Sequence, residues 1–321
     1  MKYFAALLIL FFTTSQHAFS ASPVTLPFKC IDNRIIVRVA TVKNDTLNFL
    51  FDTGSDKILL DSTSAANYGL INQNVPNIPI HFAAGTVLQG AVVQNQSLFK
   101  DSAINLIYST LIAIDAKKIP NLPGIPIHGI MGVNKLMRRY IIRIDFEKQT
   151  ISLANGNEVM AIGKKTTSIP MTYTDQGHES NFSKYARMLP AAQTSVYISR
   201  GDLFQTNAFF DTGIRFDFLL LTYLKTDSLL SRWGKNTSYG SIADSAFATE
   251  NKRYTFTGDS LKIGDNLIET HSLLQLAQTT KAGLGSFGDL QMILDIGVAF
   301  LKKYKTVDFD YPGKRIYLTS Y

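Results

Sequence analysis

Cysteine is almost absent: Cys30 is the one thiol in 321 residues. An intramolecular disulfide is therefore excluded, and the core alone must hold the fold, which fits a bacterial periplasm or cell exterior better than an animal secretory route. Cys30 does not follow an apolar leader directly, as a lipid-anchored cysteine would, and it reads as a small buried hydrophobe. Charged residues make up only 18% and never gather into a block of one sign. The net charge of +7 is thus scattered solvation and not a nucleic-acid surface. Proline and glycine (10 and 21 residues) follow no Gly-X-Y period, and no low-complexity tract occurs, so collagen-like, coiled-coil and disordered classes are excluded. The five histidines (His17, His81, His128, His178 and His271) lack metal-ligand spacing, and there is no Gly-X-Ser-X-Gly, Walker or dinucleotide fingerprint. The triple glycine of Gly283 to Gly288 has no strand-to-helix setting and reads as a flexible loop bordering the second lobe's side of a cleft; the lone Trp233 reads as core.

Long apolar runs are equally scarce. One stands at the start, Tyr3 to Phe12 behind Lys2, giving way to polar residues and then to Ala18-Phe19-Ser20. This pattern predicts a secretory signal peptide over residues 1–20, cleaved after Ser20, and hence an exported protein, periplasmic or secreted. No later segment is long or apolar enough for a membrane span. Four Asn-X-Ser/Thr sites, at Asn44, Asn95, Asn181 and Asn236, would be glycosylation acceptors in a eukaryotic route. With 45% apolar residues the chain can bury a large core, and its length exceeds the roughly 250–300 residues at which single cores stop growing. Two lobes are the expectation.

What is present is a duplication. Phe51-Asp52-Thr53-Gly54 recurs as Phe210-Asp211-Thr212-Gly213, 159 residues on, each after β-prone apolar residues and each followed at one offset by an apolar pair, Leu59-Leu60 and Phe218-Leu219. A second block repeats in the same order. Gly129-Ile130-Met131-Gly132 leads to Ile144-Asp145-Phe146 and Thr150 to Leu153, as Asp295-Ile296-Gly297 leads to Val307-Asp308-Phe309 and Arg315 to Leu318. Matched blocks at nearly one offset predict two β-rich units. Further strands are expected at Arg34 to Val39, Ile78 to Phe82, Ala91 to Val93, Ser195 to Ile198 and Tyr254 to Phe256, all rich in β-branched or aromatic residues. Short helices are expected at Ser62 to Tyr68 and Leu136 to Tyr140, and a polar connection at Asn155 to Lys165. The units span residues 24–157 and 165–321.

One Asp-Thr-Gly alone reads equally as a strand-ending turn. Two copies, each with its downstream glycine, resemble the aspartic peptidases over nearly the whole mature chain, in particular the bacterial two-lobed, retropepsin-like and pepsin-like branch. The resemblance implies an all-β, two-lobed pepsin-like (acid protease) fold, its duplicated barrel-like lobes enclosing a cleft. It also implies catalysis by Asp52 and Asp211. Hydrolysing an amide without a metal or covalent intermediate needs one group to deprotonate water and another to donate a proton. Two carboxyls about 3 Å apart cannot both ionise and so divide these roles, the aspartic-protease dyad being the known instance. By the same resemblance, Gly54 and Gly213 allow the turns that present the carboxyls, and Thr53 and Thr212 cross-bond the two loops. Ser55 matches the position whose hydroxyl supports the neighbouring aspartate. Ile214 departs from the small or hydroxyl residue usual there, and Asp295 from the usual apolar residue. Gly132 and Gly297 let a facing strand pass close, and Phe82 to Gly90 matches the place of the flap hairpin, without a tyrosine.

The expected function is an exported, monomeric aspartic-type endopeptidase acting on a peptide or protein substrate, with no cofactor, metal or nucleic-acid partner. Two other readings stay open: a pepsin-fold peptide-binding or inhibitory protein with weak or no turnover, and a surface scaffold using the lobes only for packing.

Overall fold

The computed structural model describes residues 24–71, 77–81, 87–95, 97–115, 122, 124–134, 136–155, 165–171, 189–198, 202–224, 238–241, 252–271, 273–278 and 292–321. The first half contributes strands β1 (Thr25–Ile31), β2 (Arg34–Ala40), β3 (Thr46–Asp52), β4 (Ile58–Asp61), β5 (Asn77–His81), β6 (Val87–Gln94), β7 (Thr110–Ile114), β8 (Gly129–Gly132), β9 (Tyr140–Asp145) and β10 (Thr150–Asn155). The second contributes β11 (Thr166–Pro170), β12 (Ala191–Ile198), β13 (Asp202–Phe210), β14 (Phe218–Thr222), β15 (Ser238–Ser241), β16 (Lys252–Thr257), β17 (Ser260–Ile263), β18 (Leu267–Thr270), β19 (Leu273–Gln278), β20 (Met292–Ile296), β21 (Thr306–Asp310) and β22 (Arg315–Thr319). Every strand expected from β-branched and aromatic enrichment lies within one of these, apart from Phe82, which falls outside the described residues.

Helix is short and locally capped. α1 (Ser62–Asn67) starts at Asp61, whose carboxylate accepts from the N–H groups of Thr63 and Ser64, and α2 (Ser102–Ile107) starts in the same way at Asp101. The Leu136 to Tyr140 signal becomes a single 3₁₀ turn at Met137–Arg139. α3 (Val298–Leu301) follows Gly297.

The two halves repeat strand for strand. In the first, the order β2-β3-β8-β4-β7-β6-β5 has β3 parallel to β8 and β4 parallel to β7. In the second, β12-β13-β20-β14-β19-β16-β15 has β13 parallel to β20 and β14 parallel to β19. The two differ at one edge. β1 pairs through Pro27 with β10 and from Phe28 onward with β2, joining the first lobe's sheet to a second layer; β12 instead pairs with the β17–β18 hairpin. The joined sheet has 13 strands and the other nine. Its far end runs β1-β10-β9-β21-β22-β11, so the last strands of the second half pair directly with the first half across β9 and β21. Arg143 and Asp308 face each other there, bonded through Nε at 2.7 Å and Nη2 at 3.0 Å.

The apolar runs in β4, β8, β14 and β20 are explained by burial on both faces. One face of each sheet enters a main core containing Phe49, Phe51, Phe210, Phe218, Phe300 and Phe309, with Phe210 edge-on to Phe309 at 6.3 Å. The opposite face carries a smaller cluster in each lobe, built around Leu50, Leu59 and Ile130 in the first and Phe209, Leu219 and Ile293 in the second. The β5–β6 hairpin packs Ile80 on the first of these, with Ile78 and Leu88 partly buried beside it. Residues 82–86, the tip of the expected flap, lie outside the described residues. So do the expected signal peptide, the connection at 156–164, Gly283 to Gly288, Trp233, His17, His178, Asn181 and Asn236.

Candidate active site

β3 runs out of the core into Asp52, and the chain turns through Thr53 to Lys57 before re-entering as β4; β13, Asp211 and β14 repeat the path. Each aspartate caps its own turn. The Gly54 N–H donates to Asp52 Oδ1 at 2.8 Å, and the Gly213 N–H to Asp211 Oδ1 at 2.7 Å. The returning strand then closes on the loop: the Val133 N–H donates to Ser55 O at 2.8 Å, as the Val298 N–H does to Ile214 O at 2.8 Å. A Cβ at Gly132 would stand 2.3 Å from Lys57 O, and one at Gly297 would stand 2.2 Å from Phe216 O. Only glycine lets backbone pass backbone so closely.

Thr53 and Thr212 lock the two loops together. The backbone N–H of each donates to the other's hydroxyl at 3.0 Å, while Thr53 Oγ1 donates to Phe210 O at 2.5 Å and Thr212 Oγ1 to Phe51 O at 2.9 Å. Each hydroxyl thus accepts once and donates once, and both threonines are buried, at 0% and 2% exposure. All four bonds cross between the lobes, so they set the two aspartates side by side.

The two carboxyl groups lie within hydrogen-bonding reach of each other. Both are closely surrounded by protein, yet each aspartate keeps part of its surface open to solvent. Burial first, then repulsion from Asp211, holds Asp52 well above the ordinary carboxylate range. Burial raises Asp211 as well, against the N–H groups of Gly213 and Gly54 and its hydrogen bond with Asp52. Two acids in this position titrate as one unit, and one shared proton is its favoured state.

Gly54 and Gly213 have a different reason from the expected turn geometry. Neither has a positive φ. A Cβ on Gly54 would fall 2.6 Å from Asp211 Cγ, and one on Gly213 would fall 2.8 Å from Asp52 Cγ. Each glycine makes room for the carboxyl of the opposite lobe. Ser55 also departs from expectation: its hydroxyl donates to Lys57 O at 3.2 Å and accepts from the Lys57 N–H at 3.3 Å, so it braces its own turn. Support for the Asp52 carboxyl comes from the backbone N–H groups of Gly54 and Ser55.

Asp295, on β20, lies 3% exposed beside the pair. Burial, then Asp211, then Asp52 push its acid well above the ordinary carboxylate range. Arg215, four residues past Asp211, donates from Nη1 to Asp32 Oδ2 at 2.9 Å, and Arg34 Nη1 meets the same oxygen at 2.9 Å. Asp32 and Asn33, at φ 49° and 53°, form the two-residue β1–β2 hairpin turn that holds this tie across the lobes. Asp32 and Arg215 were not legible as partners in the sequence, being 183 residues apart with no motif around either.

Other side chains take structural places. His128 Nδ1 accepts from the Asn48 N–H at 3.0 Å. The Cys30 thiol is half-buried and raised by that burial, which suits no nucleophile. Asn95 is 4% exposed, its amide bonded to Tyr108 O and the Leu98 N–H, so it is no glycan acceptor in the folded chain; Asn44 is exposed. Among the described residues no cluster of three or more His, Cys, Asp or Glu is placed to hold a metal ion, and no helix is long and apolar enough to cross a membrane.

Two duplicated sheets meeting at paired aspartate loops define the two-lobed, pepsin-like fold. Among solved structures, the chain is similar to basic 7S globulin from soybean, with a TM-score of 0.52 at 11% identity, covering 92% of this chain and 94% of that one. At this identity the likeness speaks for the fold alone. No family model and no curated protein sequence matches the chain.

Proposed function

We propose that the protein is an aspartic endopeptidase that hydrolyses peptide bonds with a water activated between Asp52 and Asp211. The observation that carries this reading is the pair of carboxyls within hydrogen-bonding reach, each capped by its own glycine N–H and partly open to solvent. In the proposed reaction, the ionised carboxyl takes a proton from water as the water oxygen bonds to the carbonyl carbon. The protonated carboxyl gives its proton to the carbonyl oxygen, so the pair still holds one. On collapse of the resulting diol, one carboxyl returns a proton to the amide nitrogen as the C–N bond breaks, and the other takes one from a diol hydroxyl. Peptide acid and amine leave, and the pair is restored. Thr53 and Thr212 serve by holding the carboxyls in register.

The same reading takes residues 24–157 and 165–321 as the two lobes, residues 1–20 as an export signal, the periplasm or exterior as the place of action, and a monomer needing no cofactor as the working form. N-terminal sequencing of exported protein should begin near Ala21. A second reading, peptide binding without turnover, is favoured by Asp295 and Ile214, which make the second lobe's site unlike the first, and by a structural neighbour named as a globulin and not as a peptidase. Digestion of a denatured-protein and peptide library from acid to mildly basic pH decides between them. The wild type should cleave, while Asp52→Asn and Asp211→Asn should not. Retained cleavage by Asp211→Asn overturns the paired mechanism, and peptide binding without cleavage by the wild type establishes the second reading.

A further inference from the structure

On the sheet face opposite the main core, Ile36, Leu50, Ile130, Leu59 and Ile112 stand in one row across five neighbouring strands of the first lobe. The equivalent row of the second lobe reads Ala191, Phe209, Asp295, Leu219 and Gln275. Two isoleucines of the first row are thus replaced by polar side chains in the second. Neither replacement finds a hydrogen-bond partner among the described residues. Asp295 is 3% exposed and forms no hydrogen bond with another described residue. Gln275 Oε1 is buried and also lacks a hydrogen-bond partner.

The row adjoins the paired aspartates on the same sheet face. Side chains alternate along a strand, so Phe209 and Asp211 leave the same face of their strand, and Phe209 is the register partner of Asp295. The charged groups that act on Asp295 are Asp211 and Asp52. The strands on either side of it bring only apolar neighbours, Phe209 and Leu219. A buried carboxylic acid left without a partner carries a desolvation cost that an apolar residue in its place would spare. A ligand side chain with both a donor and an acceptor would satisfy it without bringing a further charge to the site.

We infer that Asp295 determines specificity on the second lobe's side of the cleft, where it pairs with a substrate side chain carrying an amide or hydroxyl, with Gln275 two strands along the same row beyond Leu219. Ile130 and Ile112 make the first lobe's side the place for an apolar side chain. This inference rests on the endopeptidase reading, and it goes beyond that reading by assigning the two sides of the cleft different substrate chemistry.

The test is positional scanning of cleavage with a peptide library, comparing wild type, Asp295→Ile, Asp295→Leu and Asp295→Asn. At one of the two positions flanking the cut, wild type should prefer Asn, Gln, Ser or Thr, and at the other an apolar residue. Ile or Leu at 295 should move the first preference toward apolar residues by on the order of tenfold to a hundredfold in kcat/KM, leaving the second unchanged. Asp295→Asn, which keeps donor and acceptor, should retain the polar preference. Thermal unfolding identifies any variant that fails to fold, and the Ile and Leu variants back each other in that event. An unchanged profile in a folded Ile or Leu variant overturns the inference, as does an equal shift at both positions or a wild-type preference for basic side chains. If wild type cleaves nothing, the same library is read by equilibrium binding. Loss of amide-bearing peptides in Asp295→Leu then supports the role of Asp295 while the endopeptidase reading fails, and identical binding overturns both.

Discussion

Gly54→Ala is a single methyl group placed against the carboxyl of the other lobe. Its Cβ would sit 2.6 Å from Asp211 Cγ and Oδ2 and 2.7 Å from Oδ1, whereas carbon contacts settle near 3.5 Å, so something must move by about 0.9 Å. Asp211 has little freedom to yield. Its Oδ1 is held by the Gly213 N–H at 2.7 Å, and the neighbouring Thr212 N–H is held by Thr53 Oγ1 at 3.0 Å. A displacement near 1 Å in a catalytic group costs about 100-fold, so kcat/KM should fall by that order. Overpacking should also remove about 1–3 kcal/mol of stability. The matched control is Gly69→Ala. Gly69 ends α1 at φ +68°, with its N–H on Ala66 O and the following Leu70 N–H on Ala65 O, and a Cβ there meets nothing within 4 Å. That change should cost about 1 kcal/mol of stability through backbone strain and leave kcat/KM unaltered. Peptide-cleavage kinetics and thermal unfolding on both variants provide the comparison. Pushing the carboxyls apart also weakens the repulsion that raises Asp52, so the unfolding midpoint of Gly54→Ala should depend less on pH than that of wild type, with or without turnover. Wild-type kcat/KM and wild-type pH dependence in a folded Gly54→Ala protein would refute the reasoning.

Because the paired carboxyls form one unit, kcat/KM should follow a bell-shaped pH profile, and the double Asn variant should lose little beyond either single one; additive losses in the cycle would argue against a shared proton. Thr53→Val removes the bonds to Phe210 O and the Thr212 N–H together and should cost about 1–3 kcal/mol by chemical denaturation, with Thr53→Ser restoring most of it. Asp295 is raised in the folded state, so between about pH 4 and its folded pKa the native protein binds the proton that the unfolded chain releases, and its stabilising contribution, full below that window, is lost as pH rises. Asp295→Asn should therefore flatten the decline of stability with pH by up to about 1.4 kcal/mol per unit, and parallel curves for the two proteins would contradict a raised Asp295.

The all-β fold class and the two-lobed plan were legible because duplication is written in the sequence: Asp-Thr-Gly twice, each with its downstream glycine, at nearly one offset. The strands were legible because β-branched and aromatic runs pack best on a pleated, buried surface. A short helix at Ser62 to Tyr68 was also legible, while its Asp61 cap was seen only in the structure. The Leu136 to Tyr140 stretch was too short to hold more than one 3₁₀ turn once Tyr140 entered β9.

What the sequence by itself determined is whatever depends on neighbours along the chain: which residues run as strands, where they turn, and that each half offers one aspartate on a glycine-containing loop. The tertiary structure decided what depends on distance between the halves. Gly54 is glycine on account of Asp211, Thr53 is satisfied by Phe210 and Thr212, Asp32 answers Arg215, and Asp295 becomes a third acid beside the pair. Ser55, by contrast, spends its hydroxyl on its own turn, a choice of rotamer that residue identity leaves open. A carboxyl's charge state belongs to this second group of properties, because burial and the nearest like charge set it, and in this chain that like charge comes from a residue more than 80 positions away in sequence.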